Sequence, residues 1–259
     1  MVQGLGFPSD FSPKPQTQNL KPLLIKTKAI VISSIKYQEK SLIVKCFTQS
    51  DGLKSYFVPN AFAAKKSNQK IAYFQPLSLL EIEANHKNKG TLEHFKEIKL
   101  AHVYQTISID VVKSTIVMFL SEIIHHSIHE EEKNENLFNF LESALLWLDA
   151  HDEMANFHLI LMLEMTKFFG FYPDDSEAVF KFFDCKEGNF TAFQGTNCLS
   201  EHETFLFKKL IELKFDSDQK VFAGIERQIL LKILLDYYSI HLDGFKKPKS
   251  LEVLKEVFA

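Results

Sequence analysis

A chain of 259 residues is longer than one typical domain, and its 46% hydrophobic and 24% charged residues are ordinary for a globular protein with a full core. The longest apolar runs span five residues, which excludes a membrane-spanning helix of about 20. Three scattered cysteines exclude a disulfide framework and fit a reducing cytoplasm. Residues 1–22 are rich in Pro, Ser, Gln and Gly and lack the features of a signal peptide, so we expect a disordered extension there.

Charge divides the rest of the chain into two parts. Residues 21–100 carry 14 lysines and 6 acidic residues, a net charge of +8, whereas residues 101–259 carry 15 basic and 26 acidic residues, a net charge of −11. This difference predicts one domain that binds a polyanion and one that does not. Arg227 is the only arginine. Because reading guanine favours arginine, whereas lysine acts as a point charge on phosphate, any nucleic-acid binding should be indifferent to sequence.

The basic part, residues 23–103, has the pattern of a β-domain. Strands are predicted at residues 24–33, 42–48, 53–58, 80–83 and 91–100, and Asp51-Gly52 is a strong hairpin signal between the second and third. Pro59 ends the third strand, and a polar loop with lysines follows at residues 64–70. Five short strands with an early hairpin predict a small closed barrel.

The acidic part, residues 104–259, has the period of α-helices. Apolar stripes occur at residues 116–124, 137–148, 206–213 and 225–240, and residues 159–169 are apolar almost all round, which places them at the centre of a bundle. Gly170 ends that central helix, an irregular insert is predicted near residues 171–200, and Ser250 can cap a last short helix. The predicted fold class is therefore α+β, with a five-stranded barrel followed by an all-α domain.

The sequence contains no motif of a common enzyme class. It lacks the nucleotide loops GxxxxGK and GxGxxG and the nucleophile elbow GxSxG, so we do not expect an enzyme. One helix carries a titratable cluster, but a helical di-metal site needs a second E-x-x-H step that the sequence lacks. The residues of this cluster are Glu122, His125, His126 and His129. Cys185 and Cys198 have no C-x-x-C partners, so a zinc site is not expected and no cofactor is predicted.

Lysines and aromatic residues are interleaved along the predicted barrel. Proteins that bind single strands combine cations that follow the backbone with aromatic rings on which bases stack. Phe47 and Phe57 are expected to pack inside, which leaves Tyr37 and Tyr56 as stacking candidates. The predicted DNA-binding residues are Lys26, Lys28, Lys36, Tyr37, Lys40, Lys45, Lys54, Tyr56, Lys65, Lys66 and Lys70.

Short motifs follow one another in a specific order. In the basic part they are Tyr37-Gln38-Glu39-Lys40-Ser41, Phe47-Thr48, Asp51-Gly52, a small-residue segment with basic residues and Ser at residues 61–67, and Gln75-Pro76-Leu77. The acidic part adds Phe119-Leu120-Ser121-Glu122-Ile123, Gly170-Phe171-Tyr172-Pro173 and Pro248-Lys249-Ser250-Leu251. From about residue 24 to the C-terminus, this order resembles the RecO family of bacterial DNA-repair proteins.

The resemblance implies an oligonucleotide-binding (OB) barrel followed by a helical domain. It also implies a recombination mediator that binds single- and double-stranded DNA, anneals complementary strands and helps load RecA onto strands coated by single-strand-binding protein. RecR, sometimes RecF, and the C-terminal tail of single-strand-binding protein would be the partners. Many members carry a four-cysteine zinc ribbon after the Gly-Phe-x-Pro segment. This sequence has only Cys185 there, with Cys198 beyond it, so zinc is not expected.

Two other functions stay open at this point. The basic barrel could bind an acidic protein instead of DNA, which would make the chain an interaction scaffold. Alternatively, the Glu122 cluster could hold a metal in a helical metalloenzyme. Salt-dependent binding of mixed-sequence oligonucleotides would separate DNA binding from the scaffold, and elemental analysis would test the metalloenzyme. Charge and resemblance together favour the DNA-binding mediator.

Overall fold

The structure is a computed structural model that describes residues 23–62, 71–86, 91–128, 133–152, 154–217 and 221–258. Within these ranges, five strands come first: β1 Leu23–Tyr37, β2 Ser41–Thr48, β3 Gly52–Val58, β4 Leu79–His86 and β5 His94–Leu100. Helices α1 Val111–Ser127, α2 Glu135–Ala150 and α3 Phe157–Phe169 follow, then the hairpin β6 Phe182–Asp184 and β7 Asn189–Thr191, then helices α4 Glu201–Glu212, α5 Gly224–His241 and α6 Leu251–Val257. The predicted α+β fold class is confirmed. In the described ranges, no helix is long and apolar enough to cross a membrane.

The first five strands form one antiparallel sheet in the order β3-β2-β1-β4-β5. β1 pairs with β4 from Leu23 to Ile30 and with β2 from Ala29 to Tyr37, and the pairing with β2 has an irregularity between Val31 and Ser33. The edges of the sheet approach each other just before β5, where the Phe57 N–H donates to the Glu93 carbonyl at 2.9 Å and the Glu93 N–H donates to the Ser55 carbonyl at 2.8 Å.

The sheet is therefore of the OB type but is not closed. β3 and β5 are not neighbours in a ladder; a single parallel bridge between Tyr56 and Glu93 joins them in the described residues. The prediction of a closed barrel was wrong in this respect, because the strand pattern shows how many strands there are but not whether the last one pairs with the third. The predicted hairpin at Asp51-Gly52 is present, and Gly52 has a φ of 66°, a conformation that favours glycine.

The sheet and the helices share one hydrophobic core. The inner side of the sheet encloses a small cluster that includes Val44, Cys46 and Leu80. The opposite side contributes residues to the large core of the helical domain. Phe47 of β2, for example, contacts Phe138 of α2, with 6.0 Å between ring centroids. The two domains predicted from charge are therefore packed against each other through buried apolar surface.

A buried carboxylate fixes the connection between the sheet and the helices. Asp149 of α2 is only 5% exposed. Its side chain accepts the backbone N–H groups of Gln105, Thr106 and Ile107, at 2.9, 2.8 and 3.1 Å. Burial by itself would raise the pKa of Asp149, but these donors together with His102 lower it, and the net shift is downward. The segment that leaves β5 is thereby attached to α2 by charge-assisted hydrogen bonds.

Helix ends follow the predicted signals only in part. Ser250 precedes α6, but its backbone is already helical and its side chain makes no capping hydrogen bond, so the prediction that it caps this helix was wrong. Gly170, with a φ of 80°, ends α3, the almost wholly buried central helix. Ser200 and Glu203 form a capping box at the start of α4. The predicted irregular insert near residues 171–200 contains one regular element that the sequence did not indicate, the short hairpin of β6 and β7.

Candidate nucleic-acid interface

One face of β1, β2 and β3 is covered by helices at one end and open to solvent at the other. Side chains alternate across a strand, so the register that pairs Ile35 with Ile43 and Ile43 with Phe57 places these three residues on one face. Lys45 and Phe47 follow Ile43 at intervals of two along β2 and share that face. Phe47 is covered by α2, whereas Ile35 is 61% exposed. We call the uncovered part the open sheet face; it consists of Ile35, Tyr37, Ile43, Lys45, Phe57 and His94.

Aromatic rings form a row across the open sheet face. Tyr37 and Phe57 meet edge to face, with centroids 6.1 Å apart and ring planes at 88°. Phe57 meets His94, the first residue of β5, in the same way at 5.9 Å and 86°. Tyr37 is 43% exposed, His94 is exposed and Phe57 is half-buried between them. Rings in this arrangement offer surface on which unstacked bases can lie.

Four of the predicted lysines lie in or near these three strands. Lys45 shares the open sheet face and Lys40 lies in the exposed turn between β1 and β2. Lys36 lies on the other side of β1, with its ammonium 5.7 Å from the centroid of the Phe62 ring. Lys54 pairs with Cys46 and therefore belongs to the other face of β3. Of these four, Lys45 is the lysine that the strand register places on the open sheet face.

The lysines at the start of β1 have carboxylate partners. Lys26 Nζ lies 3.4 Å from the Glu83 carboxylate, which also accepts from Lys96. Lys28 Nζ lies 2.8 Å from Glu142 of α2. The hydrogen bond from Lys96 is the largest cause that holds the pKa of Glu83 below its usual range, and Lys26 acts in the same direction. The surface formed by β1, β4 and β5 thus carries charges that largely neutralise each other.

Tyr56 corrects the prediction of stacking residues. It is fully buried, its ring stacks on Phe95 at 4.0 Å, and its hydroxyl lies 2.8 Å from His86 Nε2. Burial is the main cause that raises the pKa of its hydroxyl. Tyr56 faces the inner core because it pairs with Val44, so it cannot stack on a base. Its neighbour Phe57, expected inside, lies on the outer face instead.

Three predicted lysines, Lys65, Lys66 and Lys70, lie outside the described residues. The interface described above is therefore built from strand and turn residues alone. No direct signal in the sequence indicated His94, which joins the interface only because the start of β5 lies beside β3.

The titratable cluster on α1 is engaged in structural contacts. The Glu122 carboxylate accepts the backbone N–H groups of Lys249 and Ser250, at 2.5 and 3.3 Å, and so holds the start of α6 against α1. His126 contacts Phe245 edge to face at 6.3 Å, and His129 lies outside the described residues. Among the described residues, no group of three or more His, Cys, Asp and Glu side chains is arranged to hold a metal.

The two cysteines near the β6–β7 hairpin do not fit the zinc ribbon that the resemblance suggests. Asp184 pairs with Cys198 in an antiparallel bridge. Because side chains alternate, Cys185 lies on the side opposite to Cys198. Cys185 is buried, which raises the pKa of its thiol to about 12, whereas Cys198 Sγ lies 3.9 Å from the Asp184 carboxylate on the outer side. The pair also supplies only two of the four ligands of a structural zinc site.

Aromatic packing stabilises this hairpin instead. Phe183 of β6 contacts Phe190 of β7 at 5.0 Å, Phe207 of α4 at 4.8 Å and Tyr237 of α5 at 5.9 Å, measured between ring centroids. All four side chains are almost completely buried. The hairpin is therefore joined to two helices through a buried aromatic cluster.

An OB-type sheet with an open aromatic face, continuous with a helical domain, defines the class of two-domain OB-fold proteins. Family models for recombination protein O match both parts, the N-terminal model at residues 23–104 and the C-terminal model at residues 109–252. The chain is 70% identical over 235 residues to DNA repair protein RecO of Flavobacterium johnsoniae, covering 91% of this chain and 99% of that protein. It is 40% identical over 238 residues to DNA repair protein RecO of Christiangramia forsetii, covering 91% of this chain and 100% of that protein. The chain belongs to the RecO family of DNA-repair and recombination proteins, which confirms the resemblance.

Proposed function

We propose that the chain is a recombination mediator that binds single- and double-stranded DNA without sequence preference through the open sheet face. The observation that carries the proposal is the row of Tyr37, Phe57 and His94 beside Lys45 on a solvent-exposed sheet surface. OB folds bind oligonucleotides on the face of their second and third strands and with the adjacent loops. Aromatic stacking combined with backbone-tracking cations is the usual chemistry of such sites.

The distribution of charge supports the same location. Lys26 and Lys28 have carboxylate partners and are left out of the proposed contact surface. We assign the phosphate contacts to Lys40 and Lys45 and, outside the described residues, to Lys65, Lys66 and Lys70. Lys36 and Lys54 belong to the other face of the sheet and are also left out. The net charge of −11 over residues 101–259 repels phosphate and so restricts DNA to the sheet. With no arginine in the sheet, these contacts hold the backbone and do not read bases.

Family membership supports the rest of the proposal. We propose that the protein anneals complementary strands and helps load RecA onto strands coated by single-strand-binding protein. It has no catalytic activity of its own in this proposal. RecR, sometimes RecF, and the tail of single-strand-binding protein are the proposed protein partners, with RecA affected indirectly. The protein would act in the cytoplasm, at the nucleoid. No cofactor takes part in this proposal.

One observation favours a second function. The open sheet face includes the aliphatic residues Ile35 and Ile43, and Ile35 is 61% exposed. Aliphatic side chains between basic ones suit an acidic amphipathic peptide as well as DNA. A scaffold that binds an acidic protein at this face is therefore the alternative.

A salt series of fluorescence anisotropy with labelled, mixed-sequence single strands tests the proposal. Each lysine–phosphate contact contributes a slope of about −0.7 to log affinity against log salt. Lys45→Ala and Tyr37→Ala should weaken binding. Lys99→Ala is a matched control, because Lys99 pairs with Glu97 at 2.8 Å on β5, at the other end of the strand order from β3. Equal affinity of all three variants and the wild type would show that DNA does not bind at the open sheet face.

A further inference from the structure

A buried chain of polar side chains lies directly behind the open sheet face. Tyr56 Oη is 2.8 Å from His86 Nε2, and His86 Nδ1 is 3.5 Å from the Asp51 carboxylate. The Tyr56 and His86 side chains are fully buried, and the Asp51 side chain is 19% exposed. These residues come from β3, from the last position of β4 and from the turn between β2 and β3. Tyr56 and His86 thus form a buried hydrogen bond between β3 and β4, and Asp51 lies at ion-pair distance from His86 without a hydrogen bond to its Nδ1.

The surroundings assign the hydrogens in this chain. Asp51 offers only acceptor oxygens to His86, so an unprotonated Nδ1 would place two electron-rich atoms together in a buried space. We therefore place the imidazole hydrogen on Nδ1, on the side of the carboxylate, so that Nε2 accepts the hydrogen of the Tyr56 hydroxyl. Asp51 is itself held in place, because its carboxylate accepts from Ser50 Oγ and its backbone N–H donates to Thr48 Oγ1 at 3.1 Å.

Tyr56 occupies the point where the two edges of the sheet meet. The residues on either side of it exchange backbone hydrogen bonds with Glu93, and its ring stacks on Phe95 of β5 at an angle of 14°. The next residues along the chain, Phe57 after Tyr56 and His94 after Glu93, are the pair that meet edge to face on the open sheet face. A shift of β3 relative to β5 would therefore change the Phe57–His94 contact directly.

We propose that Asp51, His86 and Tyr56 are positioning residues for DNA binding. They fix β3 against the start of β5, and this holds Phe57 in the orientation that a base can stack on. None of the three touches DNA in this arrangement. The inference rests on the proposed function, and it extends that function to residues behind the interface. It applies to single strands, because only unpaired bases are free to stack on a protein ring.

Tyr56→Phe is the sharpest test, because it removes one hydroxyl and keeps the ring that stacks on Phe95. Single-strand affinity should fall about fivefold, which is the lower end of what one stacked base contributes. Duplex affinity should stay within about twofold, since duplex binding depends on phosphate contacts. Tyr238→Phe is the matched control: it removes a buried hydroxyl that donates to the Met162 carbonyl at 2.7 Å in the helical domain. Its single-strand affinity should equal that of the wild type.

A double-mutant cycle separates positioning from a general loosening of the fold. In a Phe57→Ala background, Tyr56→Phe should cause no further loss, because the ring to be positioned is absent. Asp51→Asn changes the partly exposed member of the three residues and leaves the buried rings intact. It should also reduce single-strand affinity. Melting temperatures measured in parallel show that each variant is folded at the assay temperature.

Two results would overturn the inference. One is a Tyr56→Phe variant that binds single strands as tightly as Tyr238→Phe. The other is the same fold loss from Tyr56→Phe with and without Phe57. A different result, normal single-strand affinity of Phe57→Ala itself, would reject the proposed interface and the inference together. Failure of the positioning role and failure of the interface are therefore distinguishable.

Discussion

Lys28 of β1 and Glu142 of α2 form an ion pair of 2.8 Å between the sheet and the helical domain. The pair removes one lysine from those available to DNA. It also shows why the net charge of +8 over residues 21–100 overstates the positive field of the sheet. Where each lysine lies relative to the nearest carboxylate decides which of them can meet a phosphate.

The first prediction concerns this division of the lysines. Lys40→Ala combined with Lys45→Ala should weaken binding of all sequences alike and make the salt slope shallower by about 1.4. Lys26→Ala combined with Lys28→Ala should change the slope by less than half as much, because both residues lie opposite acidic residues of β4, away from the aromatic row. Anisotropy across a salt series measures both. A larger effect of the Lys26 and Lys28 pair would move the DNA site to the surface of β1, β4 and β5.

The second prediction separates the two forms of DNA. Tyr37→Ala and Phe57→Ala should each reduce single-strand affinity by about 1–3 kcal/mol, the range for loss of one stacked base. Duplex affinity should change little, because paired bases are not free to stack on the rings. Phe193→Ala is a suitable control, since this ring is 83% exposed and lies in the helical domain. Equal losses for single strands and duplexes would contradict base stacking.

The third prediction concerns Asp149. Asp149→Ala should lower the free energy of unfolding by about 2–4 kcal/mol, because three backbone N–H groups lose a charged acceptor. Trp147, the only tryptophan, lies in α2 and reports unfolding in urea by its fluorescence. The folded-state pKa of Asp149 lies below its ordinary value of 3.8, so its stabilisation is complete above that pH and is lost as the pH falls further. The free energy of unfolding of Asp149→Ala should therefore not show this decrease at low pH.

The fourth prediction concerns His158 of α3. Burial, with a smaller effect of Arg227, lowers its pKa from 6.5 to about 3. Below pH 6.5 the unfolded chain takes up a proton that the folded protein does not, so stability is complete above that pH and decreases as the pH falls towards 3. Between pH 7 and pH 5 the loss should be about 2 kcal/mol.

Urea unfolding at several pH values tests the effect of His158. His158→Leu should flatten the dependence between pH 7 and pH 5, whereas His202→Gln, at an exposed position of α4, should not. If His158→Leu kept the full pH dependence, the proton uptake would belong to another group.

The fifth prediction concerns the β6–β7 hairpin. Cys198→Ser should leave stability and DNA binding nearly unchanged, and a chelator should not lower the melting temperature. Phe190→Ala should lower the free energy of unfolding by about 3–5 kcal/mol, because it opens a cavity in the aromatic cluster. Stoichiometric zinc in purified protein, lost together with stability in Cys198→Ser, would contradict this account of the hairpin.

Much of the fold followed from periodicity, but the assignment of individual side chains did not. The strands and the central helix were predicted because apolar residues repeat with the periods of those elements. Tyr56 and Phe57 were assigned to the wrong faces, because both are aromatic and nothing in their segment shows which one faces the core. The pairing of Lys28 with Glu142 was not predictable either, because 114 positions separate them and only the packing of α2 on the sheet brings them together.

The core shared by β1, β2 and the helices makes truncation a poor way to study DNA binding. A fragment ending after β5 would expose the apolar side chains of Ile30, Phe47, Leu53 and Leu79, which the helices now cover. Such a surface favours self-association and aggregation. The intact chain should instead unfold in a single calorimetric transition, with both parts melting together. Natural variation in α2 can therefore alter DNA binding through the amount of correctly folded sheet, without any change in a residue that meets DNA.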